Sequence, residues 1–217
     1  MVETSTEKII YLVRHGQTHG NVDPVFQGVD STLNTTGREQ AEQVAQRVAR
    51  LSFDTLVASP RMRTRETAEI IARATGKTPE YADVFVERTK PTRVDGRPYT
   101  DTEANALWQL WEQSIYTPGM RAEDGENFDD IIARADKALD FLQNRFEQAL
   151  VVVTHGHFLR TLVARILLGS SLTGDNFRHF QASIKTENTG ITVLKYDAAR
   201  TEAPWRLWIY NDHAHLG

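Results

Sequence analysis

Arg14-His15-Gly16 directly follows the apolar run Ile9-Ile10-Tyr11-Leu12-Val13, and Thr154-His155-Gly156-His157 directly follows Leu150-Val151-Val152-Val153. Arg63 stands a few residues after a third such stretch, Thr55-Leu56-Val57-Ala58. Buried strands of α/β proteins read as continuous apolar runs, and ligands bind beyond their carboxyl ends. The spacing therefore sends Arg14 with His15, Arg63, and His155 to one edge of a sheet. One histidine at a strand end is commonly a hydrogen-bonded bystander. Three strand ends delivering histidine or arginine together point to a site.

These residue types suit phosphoryl transfer. A phosphate monoester carries roughly two negative charges, so its attacker is best neutral and its surroundings cationic. An imidazole is largely neutral near pH 7. Two arginines and a second histidine can grip the equatorial oxygens through charge-assisted hydrogen bonds. The start of the helix carrying Arg63 adds partial positive charge. A departing alkoxide needs a proton, and Glu87, after Tyr81-Ala82-Asp83-Val84-Phe85-Val86, is the candidate acid. A metal centre is the rival reading, because His155-x-His157 and His213-x-His215 with Asp212 are ligand types. The arginines nearby would repel a cation, so no metal is expected.

The elements that must position these residues alternate between strand and helix, which predicts a three-layer α/β/α sandwich with a mostly parallel central sheet. Strands are expected at 9–13, 55–58, 150–154, 190–196 and 205–210. Thr36 reads as the N-cap of a helix with Ala41, Val44, Ala45, Val48 and Leu51 at helical spacing. Ser59-Pro60 reads as the cap and first turn of a second helix, which runs to Thr75 and stops at Gly76. Further helices are expected at 127–146 and 158–168, the former with Phe128, Ile131, Ile132, Ala135, Leu139 and Leu142 facing the core. The segment 89–124 is less regular, with a short helix at 103–114 holding Trp108 and Trp111. It reads as a lid or side wall with no core of its own, inside a single domain spanning 1–217.

Composition narrows the function classes. The chain has 217 residues, 40% hydrophobic and 25% charged, an ordinary soluble globular profile. The longest apolar stretch, 161–168, is interrupted by Arg165 and is too short to span a bilayer. The first eight residues are polar and lack a signal-peptide pattern. Cysteine is absent, which excludes disulfides and thiol catalysis. A cytoplasmic enzyme with no membrane partner is expected. A net charge of −4 argues against nucleic acid as a partner. Two basic clusters, Arg61, Arg63 and Arg65, then Arg88, Lys90, Arg93 and Arg97, suit a small anionic substrate. Solvated surface charge is the alternative for each. The sequence permits a homo-oligomer without specifying one.

The chain also resembles the histidine phosphatase superfamily, the phosphoglycerate-mutase-like family. Arg14-His15-Gly16-Gln17-Thr18-x-x-Asn21 fits its opening motif, and Phe26-Gln27-Gly28-x-Asp30-x-x-Leu33-x-x-x-Gly37-x-x-Gln40-Ala41 fits the next segment. Ser59-Pro60-x-x-Arg63-x-x-x-Thr67-Ala68, Gly125-Glu126, Val153-Thr154-His155-Gly156 and Asn211-Asp212-x-x-His215-Leu216 follow in the family's order. The resemblance implies that His15 is a nucleophile forming a phosphohistidine and that Glu87 is the proton donor. Arg14, Arg63 and His155 would form the phosphate pocket, assisted by Asn21 and by the backbone at Gly156. It implies no metal and no cofactor. Gln17 and Asn127 depart from the family's frequent glutamate and serine, which loosens any subfamily assignment.

A phosphomonoesterase acting on sugar or glycerate phosphates is the expected function. A mutase reading is less favoured, because the chain has Glu87-Arg88-Thr89-Lys90 where mutases usually follow the acid with Arg-His-Tyr-Gly. A non-catalytic phosphate-binding module is the alternative of another class; the presence of both histidines, both arginines and the acid speaks against it. Gln27, Gly28, Arg88 and Arg93 are candidate substrate contacts, Arg88 and Arg93 for a carboxylate or second phosphate. Trp108 and Trp111 could wall the cleft, or could simply pack their helix down.

Overall fold

The computed structural model describes residues 7–19, 26 and 31–217. Along the chain come β1 (Glu7–Arg14), α1 (Thr35–Val48), β2 (Thr55–Ala58), α2 (Met62–Thr75), β3 (Pro79–Tyr81) and α3 (Thr102–Ser114). Then follow α4 (Phe128–Gln143), β4 (Ala149–Thr154), α5 (Gly156–Leu168), α6 (Gly174–Ser183), β5 (Ile191–Asp197) and β6 (Trp205–Asp212). The strands form one sheet in the order β3-β2-β4-β1-β5-β6. β3, β2, β4 and β1 are mutually parallel, and β5 runs antiparallel to both β1 and β6.

β4 sits between β1 and β2, which explains its unbroken apolar run: Leu150, Val151, Val152 and Val153 are all fully buried. Successive side chains point to opposite faces. Val151 and Val153 pack with Val44, Val48 and Ile71 of α1 and α2, whereas Leu150 and Val152 pack with residues of α4, α5 and α6 such as Leu142, Leu162 and Phe177. The result is the three-layer α/β/α sandwich. Register also levels the strand ends, with Arg14 beside Thr154 and Ala58 beside Val153. The residues that follow β1, β2 and β4 must therefore emerge together.

Several boundaries differ from the sequence expectation for local reasons. Asn34, not Thr36, caps α1, its side-chain oxygen accepting from Gly37 N at 2.8 Å. α2 begins at Met62 with Arg61 at the N-cap and no side-chain cap, while the Ser59 hydroxyl meets His155 Nε2 and accepts from Arg61 N at 3.4 Å. α4 starts as expected after Asn127, in a capping box with Asp130, and ends at Gln143 rather than at 146. α6 and β3 were not anticipated. A capping box between Thr173 and Asn176 starts α6, and Phe177 anchors it in the core. The 89–124 segment does have a core of its own: Val94, Ala104, Leu107, Trp111 and Ala122 are buried together with Phe26.

Candidate active site

The ends of β1, β2 and β4 converge on His15, Arg63 and His155. The two histidine rings are buried and lie edge-on, 5.2 Å between centroids. Arg63, in the first turn of α2, reaches between them. Its Nε is 3.3 Å from His15 Nε2 and 3.2 Å from His155 Nδ1. His15 Nδ1 donates to Gly16 O at 2.7 Å. A carbonyl can only accept, so the hydrogen belongs on Nδ1 and the Nε2 lone pair faces the guanidinium. His155 is held from its other side by Ser59, whose Oγ lies 2.8 Å from Nε2.

The turn carrying His15 is clamped on all sides. A Cβ on Gly16 would sit 2.3 Å from Gly37 O, and one on Gly37 would sit 2.0 Å from Gln17 O. Only glycines let the start of α1 press against this turn. Gly16 N donates to Thr67 Oγ1 at 3.2 Å, and Thr67 Oγ1 donates to Arg63 O at 2.8 Å. Asn188 Nδ2 donates to His15 O at 2.8 Å, and Thr189 N to Arg14 O at 3.0 Å. Gln17, the departure from the family pattern, accepts from Asn34 Nδ2 at 2.9 Å and so ties the turn to the α1 cap.

Arg14 donates to Thr186 O and lies against Gly156, where a Cβ would come within 3.1 Å of its Nε. Arg14 Nε and Arg63 Nη1 are buried donors with no hydrogen-bond partner among the described residues. Leaving such donors unmade is costly. An anionic oxygen is the partner that a buried guanidinium fits best.

Burial drives the His15 pKa well below its ordinary value, and the charges of Arg63 and Arg14 push the same way. His155 is lowered for the same reasons, burial first and Arg63 second. His157 is lowered by burial and by Arg88. Burial also brings Arg63 down to about 10, which leaves it charged at neutral pH. The folded chain thus keeps these histidines neutral at pH values where the unfolded chain, with pKa near 6.5, takes up protons. Stability is full above about pH 6.5 and falls below it, by up to ~1.4 kcal/mol per pH unit for each such histidine. Denaturant melts between about pH 7.5 and 5 test this. An unfolding free energy that stays level over that range would mean the histidines titrate normally.

Glu87 follows a 3-10 turn at Asp83–Phe85 and lies against the start of α5. Its carboxylate accepts from Phe158 N and Arg88 N, both at 3.0 Å, and from His157 N at 3.2 Å. Two of these are first-turn N–H groups that no helical carbonyl can reach. The backbone N–H groups of His157 and Phe158 therefore serve the carboxylate. Thr154 Oγ1 donates to Phe85 O at 2.7 Å, fastening this segment to the end of β4.

Sequence reasoning missed the brace behind Glu87. Arg134 donates to Val84 O at 3.1 Å and Val86 O at 2.8 Å, stacks 4.1 Å over the Phe158 ring, and pairs with both oxygens of Glu126 at 2.7 Å. Glu126 was visible in the Gly125-Glu126 motif. Arg134 carried no signal of its own. Ser59 was read as a helix cap and not as a partner of His155, Thr67 was inside a quoted motif without a role, and Asn188 was unmarked.

The candidate substrate contacts fare differently. Arg88 is buried, with its guanidinium 3.8 Å over the Trp111 ring. It donates to Trp111 O, to Ser114 Oγ at 3.0 Å and to Glu126 O at 3.1 Å. Its Nε and Nη2 thus pin α3 to the body, while the residue also lines the cleft beside Glu87. Arg93 points to Glu123 at 2.9 Å on the surface. Asn21, Gln27 and Gly28 lie outside the described residues. A cleft of about 410 Å³ is lined by Arg63 and Glu87 together with Pro91, Trp108 and Trp111, so the 89–124 segment does form a wall.

The other histidines do not gather. His157 is edge-on to Phe177 at 6.1 Å, His213 Nδ1 is 2.8 Å from Asn211 O, and His215 Nε2 meets Thr189 Oγ1 at 3.1 Å behind the β1 end. Among the described residues no group of three His, Asp or Glu is placed to hold a metal ion. Nor is any helix among them long and apolar enough to cross a membrane.

Comparison with known proteins gives the family and the fold. A probable phosphoglycerate mutase GpmB from Photorhabdus laumondii is 34% identical over 204 residues, covering 90% of this chain and 86% of the relative. The solved mycobacterial glucosyl-3-phosphoglycerate phosphatase with VO3 superposes with a TM-score of 0.74 at 25% identity, covering 94% of this chain and 99% of that one. The α-ribazole phosphatase of Shigella flexneri shares the fold with a TM-score of 0.78 at 20% identity, covering 95% and 97%. The family profile described as histidine phosphatase superfamily (branch 1) matches residues 10–207, and the chain belongs to that superfamily.

Proposed function

We propose that the protein is a phosphomonoesterase that hydrolyses small phosphorylated metabolites through a phosphohistidine at His15. The observation that carries this reading is the fixed tautomer of His15, with its Nε2 lone pair facing Arg63 beside His155. Nε2 attacks phosphorus as the bond to the ester oxygen breaks, and Glu87 passes a proton to that leaving oxygen. Water then attacks the same phosphorus, Glu87 takes its proton, and the P–N bond breaks to return neutral His15. Arg14, Arg63 and His155 hold the equatorial oxygens throughout, in a buried setting where charge stabilisation is strong.

A mutase is the second reading, and the name of the GpmB relative favours it. In that case the phosphoenzyme must outlast water until another hydroxyl of the substrate returns. The burial of Arg88 under α3 supports hydrolysis instead, since a glycerate substrate needs a cation for its carboxylate and the Nε and Nη2 of this one are bonded within the protein. Free phosphate release from a panel of phosphomonoesters, run beside interconversion of 2- and 3-phosphoglycerate, tests the choice. Release is expected to be the faster process; isomerisation outrunning it would overturn the proposal.

A further inference from the structure

We infer that the cleft beside the phosphate pocket selects phosphomonoesters whose alcohol portion is an uncharged, apolar or aromatic group. This rests on the phosphomonoesterase reading and narrows it.

Size comes first. The cleft, at about 410 Å³, falls in the range of roughly 300–1,000 Å³ that encloses ring-sized organic ligands. A phosphate on a two- or three-carbon alcohol would leave much of it filled with water.

The lining comes second. Trp108 offers a partly exposed ring, braced by Phe26 at 4.7 Å and by Trp111 at 4.6 Å between centroids. Trp111 is itself locked, its Nε1 donating to Thr89 O at 3.0 Å and its ring covered by Arg88. Pro91 adds a rigid apolar face. Such a wall is fixed before a ligand arrives, so a flat apolar group binds without ordering it.

Charge comes third. Among the described residues, several polar groups lining the cleft beyond Arg63 and Glu87 are engaged within the protein. Lys90 pairs with Asp95 at 2.6 Å, Thr92 is bonded to Asp124, and Arg88 is buried with its own acceptors. Arg61, the N-cap of α2 and two residues before Arg63, also lines the cleft. An anionic group on the alcohol side would compete with Asp95 for Lys90, whereas an apolar group disturbs none of these pairs.

The test compares 2-phenylethyl phosphate with ethyl phosphate, whose alcohols are of similar acidity, so that the difference reports the cleft and not the leaving group. The phenylethyl ester is expected to have the higher kcat/KM by tenfold or more, a gain typical of burying such a group, and 3-phosphoglycerate to fall below it. Trp108→Ala is expected to bring the phenylethyl-to-ethyl ratio to within about threefold. Because that variant could lose its fold, binding of 2-phenylethylphosphonate and ethylphosphonate to the wild-type protein is followed separately by tryptophan fluorescence. At least tenfold tighter binding of the phenylethyl compound is expected there. Equal binding of the two phosphonates, or a preference for 3-phosphoglycerate over both esters, overturns the inference. Failure of the underlying reading looks different: no ester then yields phosphate, while phosphonate binding still decides the cleft's preference.

Discussion

His15→Ala lowers phosphate release by at least about 10⁴-fold, the loss expected when a covalent nucleophile is removed from an otherwise intact site. Labelled phosphate, recovered covalently on wild-type protein after acid-free denaturing quench, disappears from the variant. The argument turns on one atom. Nδ1 is committed to Gly16 O, so Nε2 is the only ring nitrogen able to attack. Burial and the neighbouring guanidiniums keep that nitrogen unprotonated well below the usual histidine range, so the proposed nucleophile stays competent on the acidic side of neutrality. A folded variant that keeps more than about a hundredth of wild-type turnover would place the nucleophile elsewhere.

Arg63→Gln is expected to cost about 10²- to 10⁴-fold in kcat/KM, in line with removing a buried donor that stabilises transferring charge. Arg63 contacts both histidines, so this substitution has a second readout. Its positive charge is the next largest cause, after burial, of the lowered His15 pKa. Without it, the acid limb of kcat/KM moves up toward the ordinary histidine value. A purely structural role for Arg63 would slow the enzyme and leave that limb in place. A loss smaller than about fivefold would remove Arg63 from the phosphate pocket.

Much of the framework was legible because β strands buried on both faces leave an unmistakable trace. Leu150–Thr154 needed no partner information to be read as a central strand, and the histidine after it had to lie at its carboxyl end. Helix starts were harder. Ser59 looked like a cap because serine hydroxyls commonly accept from first-turn N–H groups; here the hydroxyl went to His155. Thr173-x-x-Asn176 was a readable capping box, passed over because the segment's apolar residues are too few to show periodicity.

Charged residues misled most. Arg63 and Arg88 are the same residue type, yet one has a buried unpartnered donor and the other is consumed by α3 and Glu126. Nothing local separates them. The Arg134–Glu126 pair that steadies Glu87 was equally silent, since its acceptors at Val84 and Val86 are backbone atoms 50 and 48 residues away.

By itself the sequence determined the layers, the strand ends and the set of groups available for chemistry, because apolar periodicity is a local property that each segment carries alone. Only the tertiary structure decided what those groups are doing. Arg63 and His155 stand 92 residues apart along the chain and 3.2 Å apart in space. The neutrality of the paired histidines and the walling of the cleft by Trp108 and Trp111 follow from such long-range contacts. Hydrogen bonding and desolvation depend on which atoms finally meet, and no stretch of sequence contains that meeting.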